Sequence, residues 1–155
     1  SATDTHAVPY LIMAAVMAGG MVPPFGLALA STVLARNSFT PLERENGKAA
    51  WLLGAVFITE GAIPFAATDP LRVIPANIAG GAVAGGVSAA IGVSSLAPHG
   101  GIFVFFAIDP VWGFVLALIA GTLTTAFTVL ALKKWVGHGE SSDEDAEATP
   151  VPASA

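Results

Sequence analysis

The chain has 155 residues, of which 54% are hydrophobic and only 11% are charged. Soluble domains average about 45–50% apolar and about 25% charged residues, so this composition excludes both a soluble fold and intrinsic disorder, and predicts a membrane protein. The net charge of −5 arises at the C-terminus, because five of the eleven acidic residues lie in 139–155 and the other six match the six Lys and Arg. No cysteine and no basic stripe are present, which excludes thiol chemistry in this chain and argues against nucleic-acid binding.

The first uncharged segment covers residues 8–35, longer than the roughly 20 residues that a helix needs to cross a bilayer. Gly19-Gly20 and Pro23-Pro24 interrupt it. Proline removes a backbone donor and clashes with the preceding turn. The segment therefore predicts either a broken span, with or without a short re-entrant piece, or a helix that continues with a kink.

A charged stretch, residues 36–48, separates this span from the next apolar run. Within it, Thr40-Pro41-Leu42-Glu43 has the form of a capping box, in which Thr40 and Glu43 each satisfy the other's backbone amide. Proline suits the first position of a helix. We expect a helix to begin near Pro41 at the membrane interface.

The apolar run at residues 49–58 is too short to cross a bilayer. It ends at Thr59-Glu60-Gly61, and the chain then continues with frequent prolines. These features predict a re-entrant hairpin, whose non-helical backbone must be satisfied by protein or by a watery cavity. Asp69 and Arg72 are expected to form a local ion pair at its end.

Two later spans are predicted. Residues 76–97 are rich in small residues, which favours close helix packing within the protein. Residues 111–132 form the last span, with an interfacial anchor at Lys133-Lys134-Trp135. Basic residues in the first loop and at this end place both on the cytoplasmic side. The fold class is thus an all-α membrane protein, a polytopic helical bundle with re-entrant hairpins and a disordered acidic tail at 139–155.

Two side chains in the apolar body are candidates for chemistry. A carboxylate at membrane depth, such as Glu60, requires a partner, a cavity or a proton, so it predicts a polar-ligand or proton site. The alternative is an ion pair with Arg72 or Lys48. His99, between Pro98 and two glycines, can donate and accept hydrogen bonds, whereas the alternative is a loop histidine bonded to nearby backbone. No set of His and carboxylates has metal-ligand spacing, and no cofactor is expected.

Several ordered motifs resemble one family. FITEGAIPF at residues 57–65 is similar to the Gly-Ile-Thr-Glu signature of enzyme IIC, the membrane permease of the bacterial phosphoenolpyruvate:sugar phosphotransferase system, with Phe57 where the signature often has Gly. Four further motifs resemble the fructose branch of that family: GMVPPFGLA at 20–28, GKAA at 47–50, DPLRVIP at 69–75 and PHGGIF at 98–103. The resemblance covers residues 8–135.

The resemblance implies that residues 1–138 are the C-terminal half of such a permease. Glu60 would then bind sugar hydroxyls and act as catalytic base, and Thr59, His99 and Gly100 would also contact the sugar. The implied partners are fructose, the phosphocysteine-bearing enzyme IIB, the remaining half of the permease, membrane lipid and a second copy in a homodimer. The implied location is the bacterial inner membrane, with the tail in the cytoplasm.

Two other functions stay open. The chain could be half of an ion-coupled secondary transporter that uses a broken helix and a membrane carboxylate. It could also be a non-catalytic fragment, in which the candidate site residues only stabilise the packing of helices. A secondary transporter releases unmodified substrate, whereas the phosphotransferase requires enzyme IIB and yields a sugar phosphate.

Overall fold

The structure is a computed structural model that describes residues 7–97 and 101–135. Its helices are α1 (Val8–Leu29), α2 (Pro41–Ala55), α3 (Ile63–Thr68), α4 (Pro70–Ile91) and α5 (Val111–Trp135), and its two short strands are β1 (Ser94–Ser95) and β2 (Ile108–Asp109). A π-helical turn at Ala30–Leu34 extends α1, and 3₁₀ turns lie at Arg36–Ser38, Thr59–Ala62 and Gly101–Ala107. The predicted tail at 139–155, and with it the prediction of disorder, lies outside the described residues.

Among the described residues, three helices are long and apolar enough to cross a membrane: Val8–Leu34, Pro70–Ile91 and Val111–Trp135. The first is continuous through Pro23 and Pro24, both of which are buried inside it. The prediction of a broken first span is therefore wrong. Of the alternative, a helix that continues with a kink, the continuity is confirmed. The second span runs from Pro70 to Ile91 rather than over 76–97, because Gly92, with φ of 79°, ends the helix there.

Small residues bring the three spans together. The backbones of α1 and α4 approach at Gly19 and Gly81, where a Cβ on Gly19 would lie 3.4 Å from the Gly81 carbonyl oxygen. A Cβ on Gly121 of α5 would lie 2.7 Å from the Ala84 Cβ and 2.8 Å from the Gly80 carbonyl oxygen. A Cβ on Gly121 would force α4 and α5 apart, whereas a Cβ on Gly19 would make ordinary van der Waals contact with α4. The close approach of the three helices confirms the predicted packing within the protein.

Helix α2 lies antiparallel along the second half of α1. Its N-terminus has the predicted capping box, since the Glu43 amide donates to Thr40 Oγ1 at 3.2 Å and the Thr40 amide donates to Glu43 Oε2 at 2.8 Å. Farther along, Trp51 Nε1 donates to Thr32 Oγ1 at 3.1 Å. Helix α2 is not among the three spans.

Helix α3 returns to the start of α2, where the Thr68 hydroxyl donates to Glu43 Oε1 at 3.3 Å. Residues 41–68, called the inner hairpin below, therefore leave and re-enter at the same end of the bundle. This confirms the predicted hairpin. Its shape follows from the short apolar run of α2 and from Pro64, at the second position of α3, which starts a new helix.

An ion cluster holds the base of the inner hairpin against the end of α5. Lys133 Nζ lies 3.7 Å from Glu43 Oε1, 3.6 Å from Asp69 Oδ2 and 4.3 Å from the centre of the Phe39 ring. The predicted pair of Asp69 and Arg72 is confirmed at 2.9 Å. Within the predicted anchor Lys133-Lys134-Trp135 at the end of α5, the Lys133 side chain is only 13% exposed and faces these carboxylates, so the interfacial role of the three residues stays a prediction.

The chain between α4 and α5 folds back toward the middle of the bundle. Ser94 pairs with Asp109, Ser95 pairs with Ile108, and the Leu96 amide donates to the Ala107 carbonyl at 3.1 Å. Residues 93–97 and 101–110 are called the outer hairpin below. Its contact with α1 is made by Ser95, whose hydroxyl lies 3.6 Å from Met17 Sδ.

Candidate functional site

The tip of the inner hairpin is fixed to the middle of α1 by one hydrogen bond. Thr59 Oγ1 donates to the Gly20 carbonyl at 2.9 Å. In a regular helix that carbonyl would accept from the amide four residues later, but that residue is Pro24, which has no N–H. The hydroxyl therefore satisfies a backbone acceptor that proline has freed. Gly20 lies near the midpoint of the first span, so the tip is at mid-depth.

Phe57 shapes the approach to this tip. Its φ is 64°, a left-handed conformation that glycine adopts freely and other residues adopt at a cost. Its ring packs on Gly20, where a Cβ would lie only 2.7 Å from the ring edge. The glycine that the family signature often has at this position therefore fits the backbone conformation found here.

Glu60 is exposed in the 3₁₀ turn at the tip. Among the described residues its carboxylate has no hydrogen-bond or ion-pair partner. The ion pair predicted as an alternative is not formed, because Lys48 binds Glu45 at 2.8 Å and Arg72 binds Asp69 at 2.9 Å. Glu60 is thus accessible at the level where Thr59 meets α1.

The outer hairpin approaches the same level from the opposite end. Met17, which Ser95 contacts, precedes Gly20 by three residues, or about 4.5 Å along the helix axis. Phe57 of the inner hairpin and Phe105 of the outer hairpin pack against one core cluster that contains Met17 and Met21. The two hairpins therefore converge in the middle third of the first span.

The four predicted site residues have different outcomes. The structure places Thr59 and Glu60 side by side at mid-depth. His99 and Gly100 come between Ala97 and Gly101 in the sequence and lie outside the described residues, so their part in the site stays a prediction. In the ranges 7–97 and 101–135, no three His, Cys, Asp or Glu side chains are grouped to hold a metal ion.

Sequence reasoning missed two residues that build this region. Gly20 supplies the carbonyl and the space for the Phe57 ring, and Ser95 attaches the outer hairpin to α1. The role of Gly20 could have been predicted from the sequence, since a proline within a helix frees the carbonyl four residues before it. The role of Ser95 could not, because its contact with Met17 joins distant parts of the chain.

Comparison with known proteins identifies curated relatives of the chain. It is 54% identical over 125 residues to the PTS system fructose-specific EIIB'BC component of Escherichia coli (strain K12), covering 79% of this chain. It is 49% identical over 125 residues to the fructose permease IIC component of Bacillus amyloliquefaciens, covering 81%, and 51% identical over 121 residues to the PTS system fructose-specific EIIC component of Haloferax volcanii, covering 78%. The chain is homologous to a segment of the fructose-family enzyme IIC permeases.

The chain spans only part of these relatives, namely 22% of the Escherichia coli protein, 40% of that of Bacillus amyloliquefaciens and 32% of that of Haloferax volcanii. No family model and no solved structure matches it. The predicted resemblance to the fructose-family permeases is confirmed. Together with the three apolar helices, this homology supports a multi-pass membrane protein.

Proposed function

We propose that the chain is the C-terminal half of a fructose permease of the phosphotransferase system and carries part of its sugar site. The observation that carries the proposal is Glu60, an exposed carboxylate without a partner among the described residues, at mid-depth of a membrane span. A charge at that depth is costly unless a polar ligand, a cavity or a proton compensates it. A sugar supplies many hydroxyl donors.

Glu60 acts as the general base in this proposal. Its carboxylate accepts a hydrogen bond from the sugar hydroxyl that is to be phosphorylated, and takes the proton as the phosphoryl group arrives in line. A new bond forms between the sugar oxygen and phosphorus, while the bond from phosphorus to the cysteine sulfur of enzyme IIB breaks and leaves a thiolate. That cysteine belongs to the partner, because this chain has none.

Thr59 has two roles in the site. Its hydroxyl donates to the Gly20 carbonyl, which positions the tip, and its oxygen is left to accept from a sugar hydroxyl. His99 and Gly100, next to the outer hairpin in the sequence, contact the sugar. This assignment is supported by the convergence of the two hairpins on Met17 and Gly20.

Orientation follows from the basic residues. All six Lys and Arg lie near the base of the inner hairpin or at the adjacent ends of α1, α4 and α5. Basic residues favour the cytoplasmic side, which supports an inner-membrane protein with this end and the C-terminal tail in the cytoplasm. Enzyme IIB would dock from that side. The remaining half of the permease would cover Glu60, and a second copy would complete a homodimer.

The experiment compares Glu60→Gln with Glu45→Gln in the intact permease. We expect Glu60→Gln to lower fructose phosphorylation by about 10²–10⁴, the usual contribution of a general base, with normal membrane insertion. Glu45 is an exposed carboxylate on α2 that pairs with Lys48, so its variant serves as the matched control. Phosphoenolpyruvate-dependent formation of fructose phosphate in membrane vesicles is the readout.

Two outcomes would favour the other functions. Near-normal phosphorylation in the Glu60 variant would show that Glu60 only stabilises helix packing. Accumulation of unmodified fructose that requires a proton or sodium gradient would indicate a secondary transporter, which the continuous first span does not favour.

A further inference from the structure

An open groove lies between the end of the first span and the end of α5. We call it the basal groove; it has a volume of about 820 Å³ and is lined by residues 33–38 and by Phe127, Leu130, Ala131, Lys134 and Trp135. Its walls are apolar where the two helices run side by side, and polar where they end. This volume lies in the range of small-molecule sites.

The charge of this groove is not balanced by the described part of the chain. Three basic residues of this end are in ion pairs: Lys48 with Glu45, Arg72 with Asp69, and Lys133 with Glu43 and Asp69. Arg36 and Lys134 have no such partner among residues 7–97 and 101–135, and both line the basal groove. No acidic residue lines it, whereas Asn37 and Ser38 add neutral polar groups.

The apolar walls decide which kind of anion fits. Val33 is 62% exposed and Phe127 is 58% exposed, and both lie on membrane-spanning segments. Trp135 is exposed at the rim, in the position that tryptophan prefers at a membrane interface. A free phosphate would leave these walls uncovered. A molecule with an anionic head and hydrocarbon chains satisfies both halves of the groove.

We propose that the basal groove binds one anionic phospholipid of the cytoplasmic leaflet. The phosphate lies between the Arg36 guanidinium and the Lys134 ammonium, and Asn37 and Ser38 donate hydrogen bonds to the head group. An acyl chain runs along Val33 and Phe127. The lipid thereby joins the end of the first span to the end of α5, next to the ion cluster that holds the inner hairpin.

The test counts lipid bound to the purified intact permease by native mass spectrometry, and does not depend on sugar transport. We expect phosphatidylglycerol to bind more tightly than phosphatidylcholine with the same acyl chains. Each basic residue near anionic lipid contributes about fivefold in affinity, so Arg36→Gln with Lys134→Gln should weaken phosphatidylglycerol binding about 25-fold. Lys48→Gln, which removes a paired cation at the same end, should leave binding unchanged.

Further arms identify the occupant. Phe127→Ala should weaken lipid binding while keeping the charge, and soluble glycerol phosphate should not compete with the lipid. Equal binding of the two lipids, an unaffected double variant, or an equal loss in Lys48→Gln would overturn the proposal. So would lipid binding that appears only after deletion of residues 139–155, because the acidic tail would then be the occupant.

Discussion

Phe57 shows how one residue can carry an unfavourable backbone and still be retained. Its left-handed φ of 64° costs about 1–2 kcal/mol for a residue with a side chain. Its ring packs closely over Gly20 and against the core cluster beside Met17. Burial of apolar ring surface offsets the backbone cost. Phe57 and Gly20 therefore act as a pair, in which the small residue makes room for the large one.

A pair of variants separates these two contributions. Phe57→Ala and Phe57→Gly both lose the ring, but only alanine keeps the Cβ that the left-handed backbone disfavours. We expect the glycine variant to be more stable than the alanine variant by about 1 kcal/mol, although glycine is normally the less stable of the two. Thermal unfolding of the purified intact permease measures this. An alanine variant as stable as the glycine variant would show that residue 57 is not left-handed.

At the scale of elements, the inner hairpin and α1 depend on each other. Pro23 and Pro24 remove two amide donors from the middle of a membrane span, where an unsatisfied backbone group is costly. Thr59 supplies a donor for one of the freed carbonyls, that of Gly20. The hairpin thus gains a fixed position, and α1 can remain helical through two consecutive prolines.

Replacement of Thr59 tests this dependence. Thr59→Val keeps the shape but removes the hydroxyl, leaving the Gly20 carbonyl unsatisfied, which costs about 1–3 kcal/mol. Thr59→Ser keeps the donor and should retain most of the stability. Thermal unfolding without sugar is the measurement, because a residue that only contacted the sugar would not change it. Equal melting temperatures for the valine and serine variants would contradict the positioning role.

At the scale of the whole molecule, charge is segregated to one end. The ion cluster of Glu43, Asp69, Arg72 and Lys133 joins four helices or their junctions there, while Arg36 and Lys134 line the basal groove. The outer hairpin, at the opposite end, contains one charged residue among those described, Asp109. This asymmetry gives the bundle a direction across the membrane.

Cysteine labelling tests that direction. Leu42→Cys at the start of α2 and Val8→Cys at the start of α1 each add one thiol to this cysteine-free chain, at opposite ends. A membrane-impermeant maleimide should label residue 42 from the cytoplasmic side only and residue 8 from the outer side only. The parent permease without either substitution gives the background. Labelling of both positions from one side would contradict the topology.

Much of this protein could be predicted from local patterns. Apolar length predicts the spans, Thr40 with Glu43 predicts the start of α2, and a short apolar run followed by Thr59, Glu60 and Gly61 predicts the inner hairpin. Each depends on neighbours in the chain, because hydrophobic thickness, capping and turn formation are local properties. The assignment of Glu60 as a candidate site residue likewise needs only the cost of a charge in an apolar segment.

Contacts between distant residues decided the rest. Pro23 and Pro24 are compatible with a broken or a continuous helix, and a hydroxyl from residue 59 favours the continuous one. Lys133 has the sequence position of an interfacial anchor, but its side chain lies inside the bundle, beside the carboxylates of Glu43 and Asp69. In each case a polar group in a low-dielectric interior must find a partner, and only the tertiary structure shows which partner lies within reach.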